Sequence, residues 1–249
     1  SFDEKDLPKH LENQSLRRNF YIDTFLKEQQ IEDAKKTGSF YTSQLVVYEA
    51  LKTVSIDKSI IRILEPAVGL GAFIPQLSTL FSNADRIIID CVEIDGATID
   101  SLQDSLRKIT LGCNVEINYF ESDFLVFNVP YHYDLVATNP PYGKTTTKYP
   151  TITGTEHKTK NLFALFLLKL YGVADDLVCI IPKNFAIADE FYSVRRQYQN
   201  FPIARICDFG VKFFKKVFVE IISIHFSDRY SGRTEVVDYI NNRIYSHPQ

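Results

Sequence analysis

A regular alternation of short strand-like runs and helical stretches constrains the fold of this chain most. The alternation extends from residue 57 to residue 226, and it begins with a predicted buried strand at 60–64 and a predicted helix at 73–81. Strands that alternate with helices form a parallel sheet, because each helix carries the chain back across one face of the sheet. The pattern therefore predicts an α/β fold with helices on both faces.

The later elements continue this order. Further strands are predicted at 86–92, 115–120, 133–138, 177–181, 203–209 and 217–226, and further helices at 97–109, 161–171 and 190–199. The last two strands have too little sequence between them for a helix, so they must run antiparallel. The expected architecture is a seven-stranded, mostly parallel sheet with an antiparallel end.

The two ends of the chain follow other patterns. Residues 1–36 carry scattered apolar positions among many charges, which predicts a helical arm. Gly38 ends this arm, and Ser43 is placed to cap a second helix that reaches Leu51. The main domain is expected at 37–230, and 231–249 is expected to begin a linker or a truncated C-terminal region.

Composition excludes several classes of protein. A net charge of −3 with 45% apolar residues excludes disordered, collagen-like and coiled-coil chains. Apolar runs fall far short of the ~18–20 residues of a membrane span, so we expect a cytoplasmic protein without a membrane partner. Cys91, Cys113, Cys179 and Cys207 form no CxxC pair and no cluster with histidine, which predicts buried free thiols and no metal site. Proteins that bind nucleic acid unaided are usually basic, and this chain is not.

A glycine-rich turn, LEPAVGLGAF at 64–73, follows the first predicted strand. Gly69 and Gly71 let the backbone turn sharply and approach a ligand, and the next helix points its N-terminal amides at the same place. The third glycine of the dinucleotide fingerprint is missing, and Glu65 would repel a pyrophosphate. A carboxylate suits a cation, such as the sulfonium and ammonium groups of S-adenosylmethionine. An ordinary strand-to-helix turn is the alternative.

Two more acids follow the next two predicted strands. Glu93 ends the second strand, 22 residues after Gly71, close to the ~20 expected of an acid that binds ribose hydroxyls. Asp123 follows the third strand, where a carboxylate can accept from an adenine amino group while Phe124 packs on the base. Each acid alone is more often a solvated loop residue. Acids at three successive strand ends indicate a nucleoside cofactor.

The most specific motif is Asn139-Pro140-Pro141-Tyr142, directly after the fourth predicted strand. Two prolines fix φ and remove two amide donors, so the Asn139 side-chain oxygen and the Pro140 carbonyl become rigid acceptors. Two acceptors on an exocyclic amine favour in-line attack of its lone pair on a sulfonium methyl group. Tyr142 offers a ring for stacking on a base that has left the duplex. A proline-rich turn that closes a strand is the alternative.

From about Thr37 to Phe226 the chain resembles the N6-adenine DNA methyltransferases of restriction-modification systems, in their gamma arrangement. In that arrangement an upstream cofactor segment precedes the glycine-rich motif, and target recognition follows the catalytic motif. The resemblance implies a Rossmann-like S-adenosylmethionine-dependent methyltransferase that methylates a flipped adenine in double-stranded DNA. It also implies a target-recognition domain outside this chain.

The family motifs match individual positions of this chain. Residues 37–42, TGSFYT, resemble the upstream segment, in which Tyr41 and Thr42 would lie against the methionine part of the cofactor. The remaining cofactor positions are matched by Glu65, Ala67, Gly69, Gly71, Glu93, Ile94, Asp123, Phe124 and Asn139, and the catalytic motif by Asn139, Pro140, Pro141 and Tyr142. Phe214, beside Phe213, resembles the aromatic that stacks on the far face of the flipped adenine, although a core aromatic is the alternative.

The sequence also bears on methyl acceptors other than adenine. None of the four cysteines follows a proline, so the nucleophile of cytosine ring-carbon methylation is missing. Asn before Pro-Pro-Tyr resembles the adenine enzymes more than those that act on the cytosine amine. Glutamine methyltransferases of release factors share the tetrapeptide, but their helical N-terminal domain is not matched by residues 37–42. An RNA adenine, a protein glutamine and a non-catalytic DNA-binding or partner-binding subunit remain the alternatives.

The loop after the catalytic motif gives partial support for a nucleic-acid substrate. Residues 143–160 contain four lysines and one acid, Glu156, for a local charge of +3. Three lysines between residues 212 and 216 repeat the pattern. Such a loop can close over a phosphate backbone, although solvated loops have the same composition.

Overall fold

The computed structural model describes residues 42–153, 159–210 and 219–248. The strands are β1 (Ile60–Glu65), β2 (Arg86–Glu93), β3 (Val115–Glu121), β4 (Tyr133–Thr138), β5 (Ala174–Pro182), β6 (Ile203–Gly210), β7 (Ile221–Ser227), β8 (Thr234–Asp238) and β9 (Arg243–His247). The helices are α1 (Gln44–Leu51), α2 (Ile74–Leu80), α3 (Gly96–Leu106), α4 (Pro150–Thr153), α5 (Leu162–Leu170) and α6 (Tyr192–Gln197), with 3₁₀ turns at Lys183–Ala186 and Asp189–Phe191.

The strands of the described residues form one mixed sheet in the order β3-β2-β1-β4-β5-β7-β6-β8-β9. Strands β1 to β5 are parallel, and β7 runs antiparallel to both β5 and β6. This arrangement confirms the predicted α/β fold and its antiparallel pair. The chain order reverses between β1 and β4, and open parallel sheets bind ligands in the crevice at such a reversal.

The sheet has nine strands in the described part of the chain, whereas the sequence pattern predicted seven. Residues 231–249 were expected to begin a linker or a truncated C-terminal region. Instead, β8 pairs in parallel with β6, and β9 pairs antiparallel with β8. The pattern failed here because β8 contains only two apolar residues and every residue of β9 is exposed. The free edge of β6, which the local pattern cannot reveal, determines their pairing.

Burial on both faces of the sheet explains why the central strands are nearly continuous apolar runs. Adjacent residues of β1, Ile63 and Leu64, belong to two separate core clusters. The first cluster contains apolar residues of α1, α2 and α3, and the second contains those of α5 and α6. Because the central sheet is covered on both faces, its strands must be apolar at successive positions.

Local capping signals account for where the helices begin. The Ser43 hydroxyl accepts a hydrogen bond from the amide of Val46, which confirms the predicted cap of α1. Asp95 caps α3 in the same way, with a 3.0 Å hydrogen bond from the amide of Thr98. One prediction about the core was wrong, because Cys113 is exposed while the other three cysteines are buried.

Several predictions lie outside the described residues. These are the N-terminal arm at 1–36, Tyr41, and Phe214 with its neighbouring lysines. No described helix is long and apolar enough to cross a membrane.

A buried ion pair connects α1 to the far half of the sheet. Arg205 on β6 is 4% exposed and donates to the Glu49 carboxylate of α1 at 2.6 Å. It also donates to Glu235 on β8 and, through Nε, to the Cys207 sulfur. Buried charges are costly unless each is paired and hydrogen-bonded. The contacts therefore hold α1 against β6 and β8.

Candidate active site

A cavity of about 580 Å³ opens at the carboxyl ends of the parallel strands. It is lined by Glu65 at the end of β1, Glu93 at the end of β2, Asp123 just after β3 and Asn139 just after β4. Four motifs that are distant in sequence thus meet in one cavity. Its volume lies within the usual range for small-molecule sites.

Most of the site residues predicted from the sequence border this cavity. They are Thr42, Glu65, Ala67, Gly69, Glu93, Ile94, Asp123, Phe124, Asn139, Pro140, Pro141 and Tyr142. Gly71 does not line it. A Cβ at Gly71 would lie 2.5 Å from Leu102 Cδ1, so this glycine allows the turn to pack against α3. Tyr41 and Phe214 lie outside the described residues.

The glycine-rich turn brings its backbone to the wall of the cavity. Gly69 has φ +50°, a left-handed conformation that favours glycine, and no atom lies within 4 Å of the position of an added Cβ. Its amide donates to Glu93 Oε2 at 3.0 Å, and the Ile94 amide donates to Glu93 Oε1 at 2.9 Å. These two bonds fix the Glu93 carboxylate, whose remaining lone pairs can accept from ligand hydroxyls.

Glu65 is the most unusual group in the cavity wall. It is 2% exposed, and its Oε2 has no hydrogen-bond partner among the described residues. Burial raises the pKa of the Glu65 carboxyl well above its ordinary value. A buried acid without a partner is costly, and a bound cation would offset this cost.

The side chains of the wall fit S-adenosylmethionine. None of the described residues that line the cavity is Lys, Arg or His, so a pyrophosphate would have no cationic partner there. Glu65 is suited to the ammonium or sulfonium group, Glu93 to the ribose hydroxyls and Asp123 to the adenine amino group. The chemistry of the lining thus agrees with a cationic nucleoside.

Asp123 is held by two donors. The Leu125 amide donates to its Oδ1 at 2.9 Å, and the Tyr149 hydroxyl donates to its Oδ2 at 2.8 Å. Tyr149 comes from the loop after the Asn-Pro-Pro-Tyr motif and was not among the site residues predicted from the sequence. The nearest signal in the sequence is that it follows Thr145 and Thr147 at alternate positions, and both threonines also line the cavity.

The Phe124 ring is almost fully buried in the core beside the cavity. It is 2% exposed, and its ring centroid lies 5.1 Å from that of Phe166. Lys169 lies over the ring and donates to the Phe124 and Phe127 carbonyls. Phe166 and Lys169 on α5 therefore support the turn that carries Asp123, and no sequence motif marked either residue.

Asn139 has a fixed amide orientation. Its Nδ2 donates to the Thr42 hydroxyl at 2.7 Å, and its Oδ1 accepts from the Tyr142 hydroxyl at 2.8 Å. A cofactor contact of Thr42 stays a prediction, and the structure makes Thr42 a hydrogen-bond partner of Asn139. The two contacts hold the amide with its oxygen toward Tyr142.

Tyr142 packs inward beside the cavity. Its ring makes an edge contact with Phe163 at a centroid distance of 6.4 Å, and its hydroxyl also lies 3.2 Å from the Ile180 carbonyl. Burial raises the pKa of Tyr142, so its hydroxyl remains a donor. An oxygen of a side-chain amide has two lone pairs, and the second lone pair of Asn139 Oδ1 can serve a substrate. Stacking of Tyr142 on a base stays a prediction.

Comparison with known proteins finds one matching family model and two related methyltransferases. Residues 74–214 match the family model of the Eco57I restriction-modification methylase. The type II methyltransferase M.AccI of Acinetobacter calcoaceticus is 26% identical over 193 residues, which cover 73% of this chain and 33% of M.AccI. M.VspI of Vibrio sp. (strain 343) is 24% identical over 188 residues, which cover 72% and 45%. The chain therefore spans less than half the length of these relatives.

Solved structures of other proteins have a similar fold. A protein of Listeria monocytogenes assigned to the class I S-adenosylmethionine-dependent methyltransferases superposes with a TM-score of 0.68 and 18% identity, covering 88% of this chain and 72% of that chain. The methyltransferase subunit of a type I restriction-modification system from Streptococcus thermophilus gives a TM-score of 0.63 and 14% identity, covering 84% and 50%. At these identities the likeness establishes the fold alone.

The family model and the cavity overlap in the chain. Within residues 74–214 lie Glu93, Asp123 and Asn139, which supply three of the four strand-end positions of the cavity wall. The match covers more than half of the 249 residues. This chain belongs to the Eco57I restriction-modification methylase family and has the class I S-adenosylmethionine-dependent methyltransferase fold.

Proposed function

We propose that this chain is the catalytic domain of a restriction-modification DNA methyltransferase that methylates the N6 amino group of adenine in double-stranded DNA. The observation that carries the proposal is the placement of Asn139, which borders the cofactor cavity with a fixed amide orientation. Family membership and the names of the two type II relatives support DNA as the substrate.

The residues of the catalytic motif would act by orientation. When bound, S-adenosylmethionine supplies an electrophilic methyl group on its sulfonium. Asn139 Oδ1 and the Pro140 carbonyl accept hydrogen bonds from the target amine and so direct the nitrogen lone pair toward the cavity. Thr42 holds the Asn139 amide in the required orientation. These residues position the amine without acting as covalent nucleophiles.

A product analysis tests the proposed reaction. The full-length protein is incubated with S-adenosylmethionine and duplex DNA, and the nucleosides released by digestion are identified by mass spectrometry. We expect N6-methyladenine as the product. Formation of N4-methylcytosine would show that the target base is cytosine and not adenine. Preferential methylation of RNA or of a release-factor glutamine in a competition assay would show that DNA is not the substrate.

We also expect the affinity for S-adenosylmethionine to rise with pH. Burial raises the pKa of Glu65 above its ordinary value of 4.5, whereas a bound ammonium group favours the carboxylate. Binding of the cation therefore releases a proton, and affinity increases up to tenfold per pH unit until the raised pKa is passed. Isothermal titration calorimetry over a pH series measures this dependence.

Two substitutions isolate the contribution of Glu65. Glu65→Gln should bind S-adenosylmethionine more weakly and with a flatter pH profile. Glu116→Gln is the matched control, because Glu116 is 43% exposed and lies on β3 outside the cavity. An unchanged pH profile in Glu65→Gln would show that another group binds the cation.

A further inference from the structure

The segment 144–149 has two faces that differ in chemistry. Thr145, Thr147 and Tyr149 line the cavity. The intervening residues, Lys144, Thr146 and Lys148, are exposed. Thr147 is exposed as well, at a bend where its amide donates to the Thr145 hydroxyl at 3.0 Å. One face of the segment therefore borders the cofactor site, and the other presents two cations to solvent.

Backbone contacts fix the start of this segment. Lys144 forms an antiparallel bridge with Asn161, and the Thr145 amide donates to the Lys160 carbonyl at 2.8 Å. The Leu162 amide donates to the Gly143 carbonyl at 2.9 Å. The start of the segment is thus tied to the beginning of α5.

A side-chain contact fixes the other end. The Tyr149 hydroxyl donates to Asp123 Oδ2 at 2.8 Å, and the Ile152 amide donates to the Tyr149 carbonyl at 3.0 Å. Partial burial and the contact with Asp123 raise the pKa of Tyr149, so the hydroxyl remains protonated and donates. The position of the segment therefore depends on the carboxylate assigned above to the cofactor adenine.

Asp123 can hold Tyr149 and the adenine at the same time. Each carboxylate oxygen has two acceptor positions, and Oδ1 already accepts from the Leu125 amide. Oδ2 can accept from Tyr149 and from an adenine amino group together. A bound adenine would also contact the wall that Tyr149 forms, and both contacts favour the same position of the segment.

We propose that segment 144–149 couples cofactor binding to nucleic-acid binding, with the Tyr149–Asp123 hydrogen bond as the connection. This inference rests on the function proposed above. The cavity face responds to the cofactor, and Lys144 and Lys148 on the outer face contact the phosphate backbone. Coupling between two binding sites is reciprocal, so each ligand strengthens the binding of the other by the same factor.

Calorimetry with S-adenosylmethionine tests the connection itself. Tyr149→Phe removes the hydroxyl and keeps the ring, and we expect the dissociation constant to rise about three- to tenfold, as for loss of one hydrogen bond. In an Asp123→Ala background the same substitution should cause no further change, because the acceptor is already absent. Tyr171→Phe is the control, since Tyr171 follows α5 and does not line the cavity.

Two further measurements test the coupling. Fluorescence anisotropy gives the affinity for duplex DNA with and without S-adenosylhomocysteine, which binds without methyl transfer. We expect the nucleoside to tighten DNA binding severalfold in the wild type and hardly at all in Tyr149→Phe. Tryptic cleavage after Lys144 and Lys148 gives a second readout, and the nucleoside should slow it in the wild type more than in the variant.

The outcomes separate this inference from the proposed function. If the wild type does not bind S-adenosylmethionine, the proposed function fails. If the wild type binds it and Tyr149→Phe shows the same affinity and the same protection from trypsin, only the coupling is overturned. Faster cleavage in the presence of the nucleoside would also overturn it, because Tyr149 would then compete with the adenine for Asp123.

Discussion

Asn139→Ala is expected to lower the turnover number for DNA methylation by about 10²–10³-fold, the usual cost of removing one oriented hydrogen-bonding group from a transition state. The dissociation constant for S-adenosylmethionine should change little. Asn139 Oδ1 is the acceptor that we assign to the target amine, whereas Glu65, Glu93 and Asp123 are assigned to the cofactor. Single-turnover kinetics and calorimetry on the same preparation separate the two effects.

A matched variant controls for general damage. Asn200→Ala removes an exposed amide that lies beyond α6 and does not line the cavity, so both parameters should stay at wild-type values. Equal losses of turnover and of cofactor affinity in Asn139→Ala would show that the catalytic position has been misplaced. Thr42→Val should reproduce part of the turnover defect, because it removes the acceptor that orients the Asn139 amide.

Arg205→Leu is expected to destabilise the folded protein by about 3 kcal/mol, near the lower end of the range for breaking a buried ion pair. Among the described residues, the substitution leaves the buried Glu49 with Lys52, at 3.7 Å, as its cationic neighbour. Glu235 is 38% exposed, so water can compensate for much of its loss. Urea denaturation followed by circular dichroism measures the change.

Two further variants test whether the unpaired buried charge of Glu49 causes the loss of stability. Arg107→Leu breaks the ion pair with Asp104, whose members are 74% and 66% exposed, and should cost at most about 0.5 kcal/mol. The double variant Glu49→Gln/Arg205→Leu should recover part of the stability lost in the single variant, since no buried carboxylate is left without its guanidinium. A loss below about 1 kcal/mol in Arg205→Leu would contradict this account.

The central fold was predictable because its signals are local. The run Tyr133–Thr138 is mostly apolar, lies between turn residues and forms β4 with the bounds expected from the sequence. β8 and β9 were not predictable in this way, because their pairing depends on an edge of β6 that only the folded sheet creates. A strand whose residues are mostly exposed leaves little periodic signal.

The location of the candidate site was predictable from the sequence, but the contacts within it were not. Acids at successive strand ends indicated one cavity, since parallel strands bring their carboxyl ends together. The hydrogen bond between Thr42 and Asn139 joins residues 97 positions apart, and that between Tyr149 and Asp123 joins a loop to a turn. Such contacts depend on how the loops pack, so neither the orientation of the Asn139 amide nor the role of Tyr149 follows from a motif.

The pairing of β8 with β6 also limits where the chain can be shortened for expression. The sequence pattern suggested a boundary at residue 230. A fragment that stops there would lose Tyr239, whose ring stacks on that of Phe209 at a centroid distance of 5.3 Å. It would also expose the backbone donors and acceptors of β6 along an apolar strand. Open edges of this kind recruit other strands. Such a fragment would be prone to edge-to-edge aggregation during expression, and β8 and β9 supply the folded protein with its protection.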